Sequence, residues 1–338
     1  MIHPPAFWWR EGETLAARLL APLAMLYGAV AARRMLEAGT QVAVPVVCIG
    51  DLSLGGSGKT PTALAVGDIL RSAGERIVFL TRGYDGRLPG PVRIDPVAHV
   101  AADVGDEPLL LVRAAPTVVA RDRVAGAHAA IAIGATVIVM DDGFQNPSLA
   151  KNLSLIVIDG WRGIGNARVF PAGPLRAPLE AQLAHAHGAV IIGEAASALQ
   201  DVMEALAARG LPTFHAWLEP DPAAVAELKG TDVLAFAGIG DPDKFFATLI
   251  AAGIHVPVTR GFPDHHRFTP AQASALVADA DAQRLKLVTT EKDHARLSGD
   301  NRLTALRERT RTVPVKLVID DDAAFRRFLF AKLGRPTA

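Results

Sequence analysis

Several features that would each point to a class of protein are scarce in this 338-residue sequence. It contains one cysteine, Cys48, so no disulfide can form within the chain, and a reducing compartment is expected. Lysine plus arginine balance aspartate plus glutamate at 35 each, which argues against the broad basic face of a nucleic-acid-binding protein. Near the N terminus, the uncharged run 19–32 is shorter than the roughly 20 apolar residues that a membrane-spanning helix needs.

The sequence does contain enough apolar material for a globular protein with a sizeable core. Half of its residues are apolar and 21% are charged, and its length suffices for two domains. Cys48 lies in the apolar run 42–49, so we expect a core residue rather than a nucleophile.

Strand-like and helical segments alternate along most of the chain. This alternation is typical of a parallel sheet covered by helices on both faces. We therefore predict an α/β fold with a larger lobe, residues 35–212, and a smaller α/β lobe, residues 213–338. The segments 213–218 and 313–319 are predicted to pair as a two-stranded hinge, and the helix 321–333 is assigned to the smaller lobe.

Residues 1–34 form a predicted amphipathic helix whose location is open to two interpretations. Apolar residues recur at helical spacing over 15–30, with two tryptophans before them and two arginines after them. Such flanks fit a helix that lies in a membrane interface. The same pattern fits a helix that packs on the protein's own core.

A glycine-rich turn follows the first predicted strand and opens a helix. Its residues are Ser53, Leu54, Gly55, Gly56, Ser57, Gly58, Lys59 and Thr60. This is the context of a phosphate-binding P-loop: glycines let backbone N–H groups approach phosphate, Lys59 reaches the β- and γ-phosphates, and Thr60 can ligate Mg²⁺. The larger sheet is therefore predicted to be P-loop NTPase-like, with ATP and Mg²⁺ as ligands.

Two pairs of adjacent acids come after strand-like or loop segments. Asp141 and Asp142 follow an apolar run, and an acid at the end of a parallel strand beside a P-loop can hold Mg²⁺ directly or through water. Asp106 and Glu107 stand at the start of a helix, where an aspartate is commonly an N-cap. The first pair is predicted to be functional, whereas the second pair alone would be read as a cap.

Further short blocks occur together in a characteristic order. They are Gly50 to Pro61, Thr81-Arg82-Gly83-Tyr84, Gly105-Asp106-Glu107-Pro108, Asp141-Asp142-Gly143-Phe144-Gln145, Pro171-Ala172-Gly173-Pro174-Leu175-Arg176, Phe236-Ala237-Gly238-Ile239, Asp264-His265-His266 and Thr290-Glu291-Lys292-Asp293. The ordered set resembles the lipid A 4'-kinase (tetraacyldisaccharide 4'-kinase) family over nearly the whole chain. In that family a serine at the position of Ser53 is normal.

The resemblance implies a two-lobed kinase on the cytoplasmic face of the bacterial inner membrane. It would transfer the γ-phosphate of ATP to the 4'-hydroxyl of a tetraacyldisaccharide 1-phosphate. The expected partners are this acylated lipid and the membrane surface, with no nucleic acid, and a monomer is expected. A membrane-associated ATPase switch without a phosphorylated acceptor would also suit the P-loop and the N-terminal helix. A cytosolic small-molecule kinase fits the P-loop, but the tryptophan and arginine flanks of the helix count against it.

Roles for individual residues also follow from the resemblance. It implies Lys59 as a catalytic residue, Asp106 as the base and His265 of the smaller lobe as the partner of that base. Metal ligands would come from Thr60, Asp141, Asp142 and Glu107, and a phosphate or substrate contact from Arg176. Tyr84 and Arg121 are further candidates for substrate contacts on the acceptor side, and surface or packing roles fit these two residues equally well. We expect the neighbouring Glu107 or a partly dry cleft to raise the pKa of Asp106 toward a useful range.

Two positions depart from the family's usual pattern. The chain has Asn146 where the family commonly has histidine, and Ala177 where it commonly has glutamate. Position 177 therefore offers no carboxylate for a metal or base role, and this role is expected to rest more on Glu107, Asp141 and Asp142.

Overall fold

The structure is a computed structural model that describes residues 5–10 and 12–335. Its helices are α1 (Leu15–Met35), α2 (Lys59–Ser72), α3 (Ala101–Val104), α4 (Glu107–Ala114), α5 (Arg123–Ala132), α6 (Leu179–Leu183), α7 (Gln200–Ala208), α8 (Pro222–Leu228), α9 (Pro242–Ala251), α10 (Pro270–Gln283), α11 (Glu291–Arg296), α12 (Thr304–Arg309) and α13 (Asp322–Lys332). Its strands are β1 (Val46–Asp51), β2 (Ile77–Thr81), β3 (Val92–Arg93), β4 (Thr117–Val119), β5 (Val137–Asp141), β6 (Leu153–Asp159), β7 (Gly188–Ile192), β8 (Thr213–Pro220), β9 (Asp232–Ala237), β10 (His255–Gly261), β11 (Lys286–Thr289), β12 (Thr310–Thr312) and β13 (Val315–Ile319). Short 3-10 helices lie at Ala6–Trp9, Ser197–Leu199 and Asn301–Leu303.

The larger lobe is built on a nine-stranded sheet of order β13-β8-β7-β6-β1-β5-β2-β4-β3. Pairing is parallel except at the two edges, where β13 and β3 run antiparallel to their neighbours. β1, β5 and β6 are buried along their whole length because helices cover both faces, which explains their continuous apolar sequences. The predicted P-loop-type α/β sheet is confirmed.

The register of the central strands brings the predicted motifs together. β1 lies between β5 and β6, with Ile49 opposite Asp141. The turn after β1 and the acids after β5 therefore emerge side by side at the carboxyl end of the sheet. Ligands in open α/β sheets bind at this end.

The predicted hinge strands pair, but they belong to the larger sheet. β8 is antiparallel to β13 and parallel to β7, so both strands extend the nine-stranded sheet. Phe325 and Leu329 of α13 are buried in the same core as Phe214 of β8. The assignment of 213–221 and 313–335 to the smaller lobe was wrong, because these segments bury their apolar side chains against the larger one. The smaller lobe spans about α8 to β12.

The smaller lobe has its own four-stranded parallel sheet, of order β10-β9-β11-β12. Apolar side chains pack on both of its faces, around Phe245 and Leu249 of α9 on one side and around Phe268 and Leu276 on the other. The two chain crossings between the lobes lie side by side, since the Asp221 amide donates to the Pro314 carbonyl at 2.8 Å.

Helix α1 lies on the larger lobe through small residues and leaves its large apolar residues exposed. Ala17, Ala24 and Gly28 are buried, whereas a stripe of leucines faces outward. Among the described residues, α1 is the one helix long and apolar enough to cross a membrane, judged by length and composition alone. The predicted packing of this helix on the protein is therefore confirmed for one face, and its location in a membrane interface stays a prediction.

The first of the two predicted interface tryptophans instead anchors this segment to the protein. Trp8 is 5% exposed, and its indole N–H donates to the Pro171 carbonyl at 3.0 Å. Trp9 lies under the guanidinium of Arg162, 5.2 Å from the ring centre.

Candidate active site between the lobes

The turn between β1 and α2 has the backbone that a phosphate-binding loop requires. Gly55 and Gly58 adopt φ values of +132° and +92°, and a β-carbon at Gly58 would lie 2.5 Å from a side-chain carbon of Ile192. The positive φ favours glycine at position 58, because residues with a β-carbon rarely adopt this conformation. No side chain caps the N terminus of α2, so its first N–H groups and its dipole are available to an anion.

A buried carboxylate, Asp51, organises this loop. It accepts a hydrogen bond from the Ser57 hydroxyl at 3.1 Å, pairs with the ammonium of Lys59, and lies 2.9 Å from Nε of Arg176. Burial alone would lower the pKa of Lys59, but Asp51 and Asp142 raise it above its usual value. Both cations therefore stay charged where phosphate would bind.

Asp51 is a functional candidate that sequence reasoning missed. The sequence could have pointed to Asp51, because this acid ends a buried strand directly before the P-loop. A buried charge at such a position needs a partner.

Asp141, the last residue of β5, and Asp142, which follows it, lie beside the P-loop, as predicted. The Thr60 hydroxyl donates to Oδ2 of Asp141 at 3.1 Å, and Asp142 lies 4.0 Å from Nζ of Lys59. Burial, reinforced by neighbouring acids, raises the pKa of Asp141 to about 7. Burial would also raise the pKa of Asp142, but Lys59, Arg176 and Arg123 lower it to about 2.

This arrangement fits a divalent cation. Oδ1 of Asp141 is buried and has no hydrogen-bond partner among the described residues. An unpaired buried carboxylate oxygen is costly, and carboxylate and hydroxyl oxygens are the ligands that Mg²⁺ prefers. Thr60, Asp141 and Asp142 thus form a donor set that such an ion would complete.

Asp106 and His265 meet across the cleft between the lobes. Asp106 precedes α4 in the larger lobe, His265 belongs to a loop of the smaller lobe, and 3.5 Å separates Asp106 Oδ2 from His265 Nδ1. Glu107 Oε1 lies 4.0 Å from the other ring nitrogen of His265. His265 has a φ of +54°, a backbone conformation that non-glycine residues rarely adopt. Asp106 therefore does more than cap a helix, although it also accepts from the Glu107 amide.

The expected rise in the pKa of Asp106 was wrong. Burial would raise this pKa, but the hydrogen bond from His265 and the charges of Arg296 and Lys292 hold it well below its usual range. The pKa values of its neighbours shift upward instead. Burial and the charge of Asp106 raise the pKa of Glu107. For His265, burial would lower the pKa, but Asp106 and the nearby acids raise it.

Three further residues were predicted to contact the substrate, and they lie at three separate places in the structure. Arg176 lies in the P-loop region, where its Nε also donates to the Ser53 carbonyl at 3.2 Å. The ring of Tyr84 is half exposed and 5.0 Å from the ring of His265. Arg121 holds a neighbouring loop by donating to the Gly86 carbonyl at 3.2 Å.

Ala177 and Asn146, the two departures from the family pattern, have different surroundings. Ala177 is buried next to Arg176 and offers no ligand atom from its side chain. The Asn146 side chain accepts from the Ser148 amide at 2.9 Å and so stabilises a local turn.

The smaller lobe also reaches the P-loop itself. A β-carbon at Gly240 would lie 2.9 Å from the Gly56 nitrogen, so the glycine at position 240 lets the loops of the two lobes approach closely. Arg162 of the larger lobe secures this contact by pairing with Asp241 at 2.9 Å. The P-loop is thus covered by the smaller lobe in this arrangement.

Comparisons with known proteins agree with this geometry. A family model for tetraacyldisaccharide-1-P 4'-kinase matches residues 16–334. A tetraacyldisaccharide 4'-kinase of Nitrobacter winogradskyi is 54% identical over 334 residues, covering 99% of this chain and 98% of that protein. One from Methylobacterium sp. (strain 4-46) is 55% identical over 338 residues, covering 100% and 99%. The fold resembles the crystal structure of the "apo" form of LpxK from Aquifex aeolicus in complex with ATP, with a TM-score of 0.71 and 24% identity over 94% of this chain and 100% of that one.

Proposed function

The chain belongs to the tetraacyldisaccharide-1-P 4'-kinase family, and on that premise we propose how the cleft between its lobes carries out the reaction. The enzyme transfers the γ-phosphate of ATP to the 4'-hydroxyl of a tetraacyldisaccharide 1-phosphate in lipid A biosynthesis. Assigning individual residues to this reaction is the proposal.

The P-loop, Ser53 to Thr60, binds the phosphates of ATP in this proposal. The glycines at 55 and 58 and the uncapped N terminus of α2 support this assignment. Lys59 remains charged beside Asp51, and its ammonium would stabilise the charge on the transferring phosphoryl group.

Thr60, Asp141 and Asp142 would hold Mg²⁺, which neutralises phosphate charge when it is bound. The partnerless oxygen of Asp141 supports this set. Glu107 is less suited, because its Oε1 already accepts from Nζ of Lys292 at 2.9 Å. We therefore assign Glu107 to an ion pair with Lys292 rather than to the metal.

Asp106 would accept the proton of the 4'-hydroxyl while the new O–P bond forms, and His265 would hold Asp106 in position. The low pKa of Asp106 keeps it ionised and ready to accept a hydrogen bond from the hydroxyl. Tyr84 beside His265 and Arg176 at the P-loop would contact the acceptor and the phosphates, with Arg121 supporting the loop around Tyr84.

The exposed face of α1 would bind the cytoplasmic surface of the inner membrane. Leu15, Leu19, Leu23 and Leu26 are each more than half exposed. A contiguous apolar face of this kind is typical of interfacial helices, and it suits a lipid substrate. We propose a monomer anchored in this way.

The observation that best supports the kinase over an ATPase switch is the pairing of Asp106 with His265 from the other lobe. A site that only hydrolyses ATP needs no such group for an acceptor hydroxyl. The test is the fate of labelled γ-phosphate when ATP, Mg²⁺ and a purified tetraacyldisaccharide 1-phosphate are supplied. Label on the lipid, with a mass gain of one phosphate, is expected; label released only as inorganic phosphate would support the switch.

A further inference from the structure

Helix α11 of the smaller lobe lies against α4 of the larger lobe and directs two cations at the acid pair. The sequence motif Thr290-Glu291-Lys292-Asp293 opens this helix, and Arg296 ends it. The proposed reaction assigns no step to Lys292 or Arg296. Their side chains nevertheless bind Glu107 and Asp106.

Arg296 is buried between the lobes, with 6% of its side chain exposed. Its Nε donates to Oδ2 of Asp106 at 2.6 Å, and its Nη1 donates to Asp293 at 2.8 Å. A second bond from Nη1 reaches the carbonyl of Gly238, in the loop that leads to the P-loop contact. Because a guanidinium presents its donors in a rigid fork, these contacts fix Asp106 relative to the smaller lobe.

Lys292 engages the second acid. Its Nζ donates to Oε1 of Glu107 at 2.9 Å. In the described part of the chain, the side-chain cations beside Asp106 and Glu107 are Arg296, Lys292 and His265, and all three come from the smaller lobe. With the lobes apart, the two adjacent carboxylates would lack these cations.

We propose that Lys292 and Arg296 are positioning residues for phosphoryl transfer, which hold Glu107 and Asp106 in the productive arrangement when the lobes close. They act through the two carboxylates and need not touch the substrate. A displacement of about 1 Å at a reacting group costs on the order of a hundredfold in rate, so losing either cation should lower kcat strongly.

A matched control lies on the same two helices. Arg113 of α4 pairs with Glu291 of α11 at 2.9 Å, but about half of the Arg113 side chain is exposed and neither residue contacts Asp106 or Glu107. If α11 served only to attract α4, removing this rim pair would have a similar effect. If the cations position the acids, the rim pair should matter little, since exposed ion pairs contribute little.

The experiment compares Lys292→Met, Arg296→Met and Arg113→Met with the wild-type enzyme at saturating ATP and lipid. We expect kcat to fall about a hundredfold for the first two and less than about threefold for Arg113→Met, with the KM for ATP changed less than about threefold. Arg296→Lys should recover part of the lost kcat. Thermal unfolding of each variant checks that the protein is folded.

A second comparison tests whether Lys292 acts through Glu107. In a Glu107→Gln background, Lys292→Met should lower kcat far less than it does in the wild type, because its partner is already gone. The inference is overturned if the losses multiply, or if the first two variants resemble Arg113→Met.

The inference rests on the proposed function, but different results would contradict each of them. Wild-type enzyme that puts no label on the lipid contradicts the function. Wild-type enzyme that labels the lipid, with variants at positions 292 and 296 as active as the control, contradicts only the inference.

Discussion

At the scale of single residues, a buried carboxylate holds the phosphate-binding cations ready. Asp51 pairs with Lys59 and with Arg176, so the two positive charges are fixed before any nucleotide enters. Such preorganised charge is worth more in a water-poor site than in solvent, because it costs no reorganisation during the reaction.

Lys59→Ala should therefore abolish most turnover while the protein stays folded. The variant keeps Arg176 as the partner of Asp51, so the buried acid is not left without a cation. We expect kcat to fall by at least about a hundredfold, as for loss of a preorganised charge at a transition state. Lys286→Ala, at an exposed strand end, is the control; near wild-type activity of Lys59→Ala would refute the P-loop assignment.

The metal assignment is tested at Asp142. Asp142→Ala should raise the Mg²⁺ concentration needed for half-maximal activity and lower the maximal rate by orders of magnitude, because a ligand carboxylate is lost. Asp122→Ala removes an acid that only caps α5, and it should leave the Mg²⁺ titration unchanged. An unchanged titration for Asp142→Ala would contradict the assignment of Asp142 as a metal ligand.

Residues of the site differ in how far the sequence could predict them. The P-loop and the acids after β5 were predictable, because their chemistry depends on local spacing after a strand. Asp51 and Arg296 were not, since an acid at a strand end and an arginine on a short helix have many ordinary roles. Their significance arises from contacts over long sequence separations, such as the 190 positions between Asp106 and Arg296.

At the scale of elements, α1 divides its two faces between the protein and the surroundings. Its small residues allow close packing on the larger lobe, where Gly28 leaves room for Pro178. Deleting residues 1–34 would remove this packing together with the outer face, so weaker vesicle binding by the truncated protein would not show which of the two matters. Substitutions confined to the outer face separate the two effects.

Leu19, Leu23 and Leu26 should be changed together to glutamine. We expect binding to anionic lipid vesicles to weaken by about tenfold or more, because each leucine loses apolar area that the membrane would cover. The control changes Val97, Ile133 and Ile250, which are exposed elsewhere on the protein. Equal sedimentation of the leucine variant and the wild type with vesicles would exclude α1 as the main anchor.

Element types were predictable, whereas lobe membership was not. The strands at 77–81 and 153–159 match the structure, because continuous apolar runs bounded by turns are typical of a buried parallel sheet. The assignment of β8, β13 and α13 failed because chain order does not reveal that β8 pairs with β7. Long-range packing, such as that of Phe325 beside Phe214, shows where α13 belongs.

At the scale of the whole molecule, the proposed site draws its residues from both lobes. The larger lobe supplies the P-loop and the two acid pairs, Asp106-Glu107 and Asp141-Asp142. The smaller lobe supplies His265 and the cations of α11. Assembly on closure would delay the chemistry until the acceptor is enclosed, which limits wasteful hydrolysis of ATP. We therefore expect Asp106 and His265 to act as one unit across the cleft.

The most direct test is the turnover of four enzymes: wild type, Asp106→Ala, His265→Ala and the double variant, at saturating ATP and lipid. Each single change should lower kcat by about a hundredfold or more, with little change in ATP affinity. His266→Ala is the control, because His266 stacks on Phe262 within the smaller lobe. We predict that the double variant is scarcely slower than the slower single one, since the two residues act together. Losses that multiply in the double variant would contradict the account.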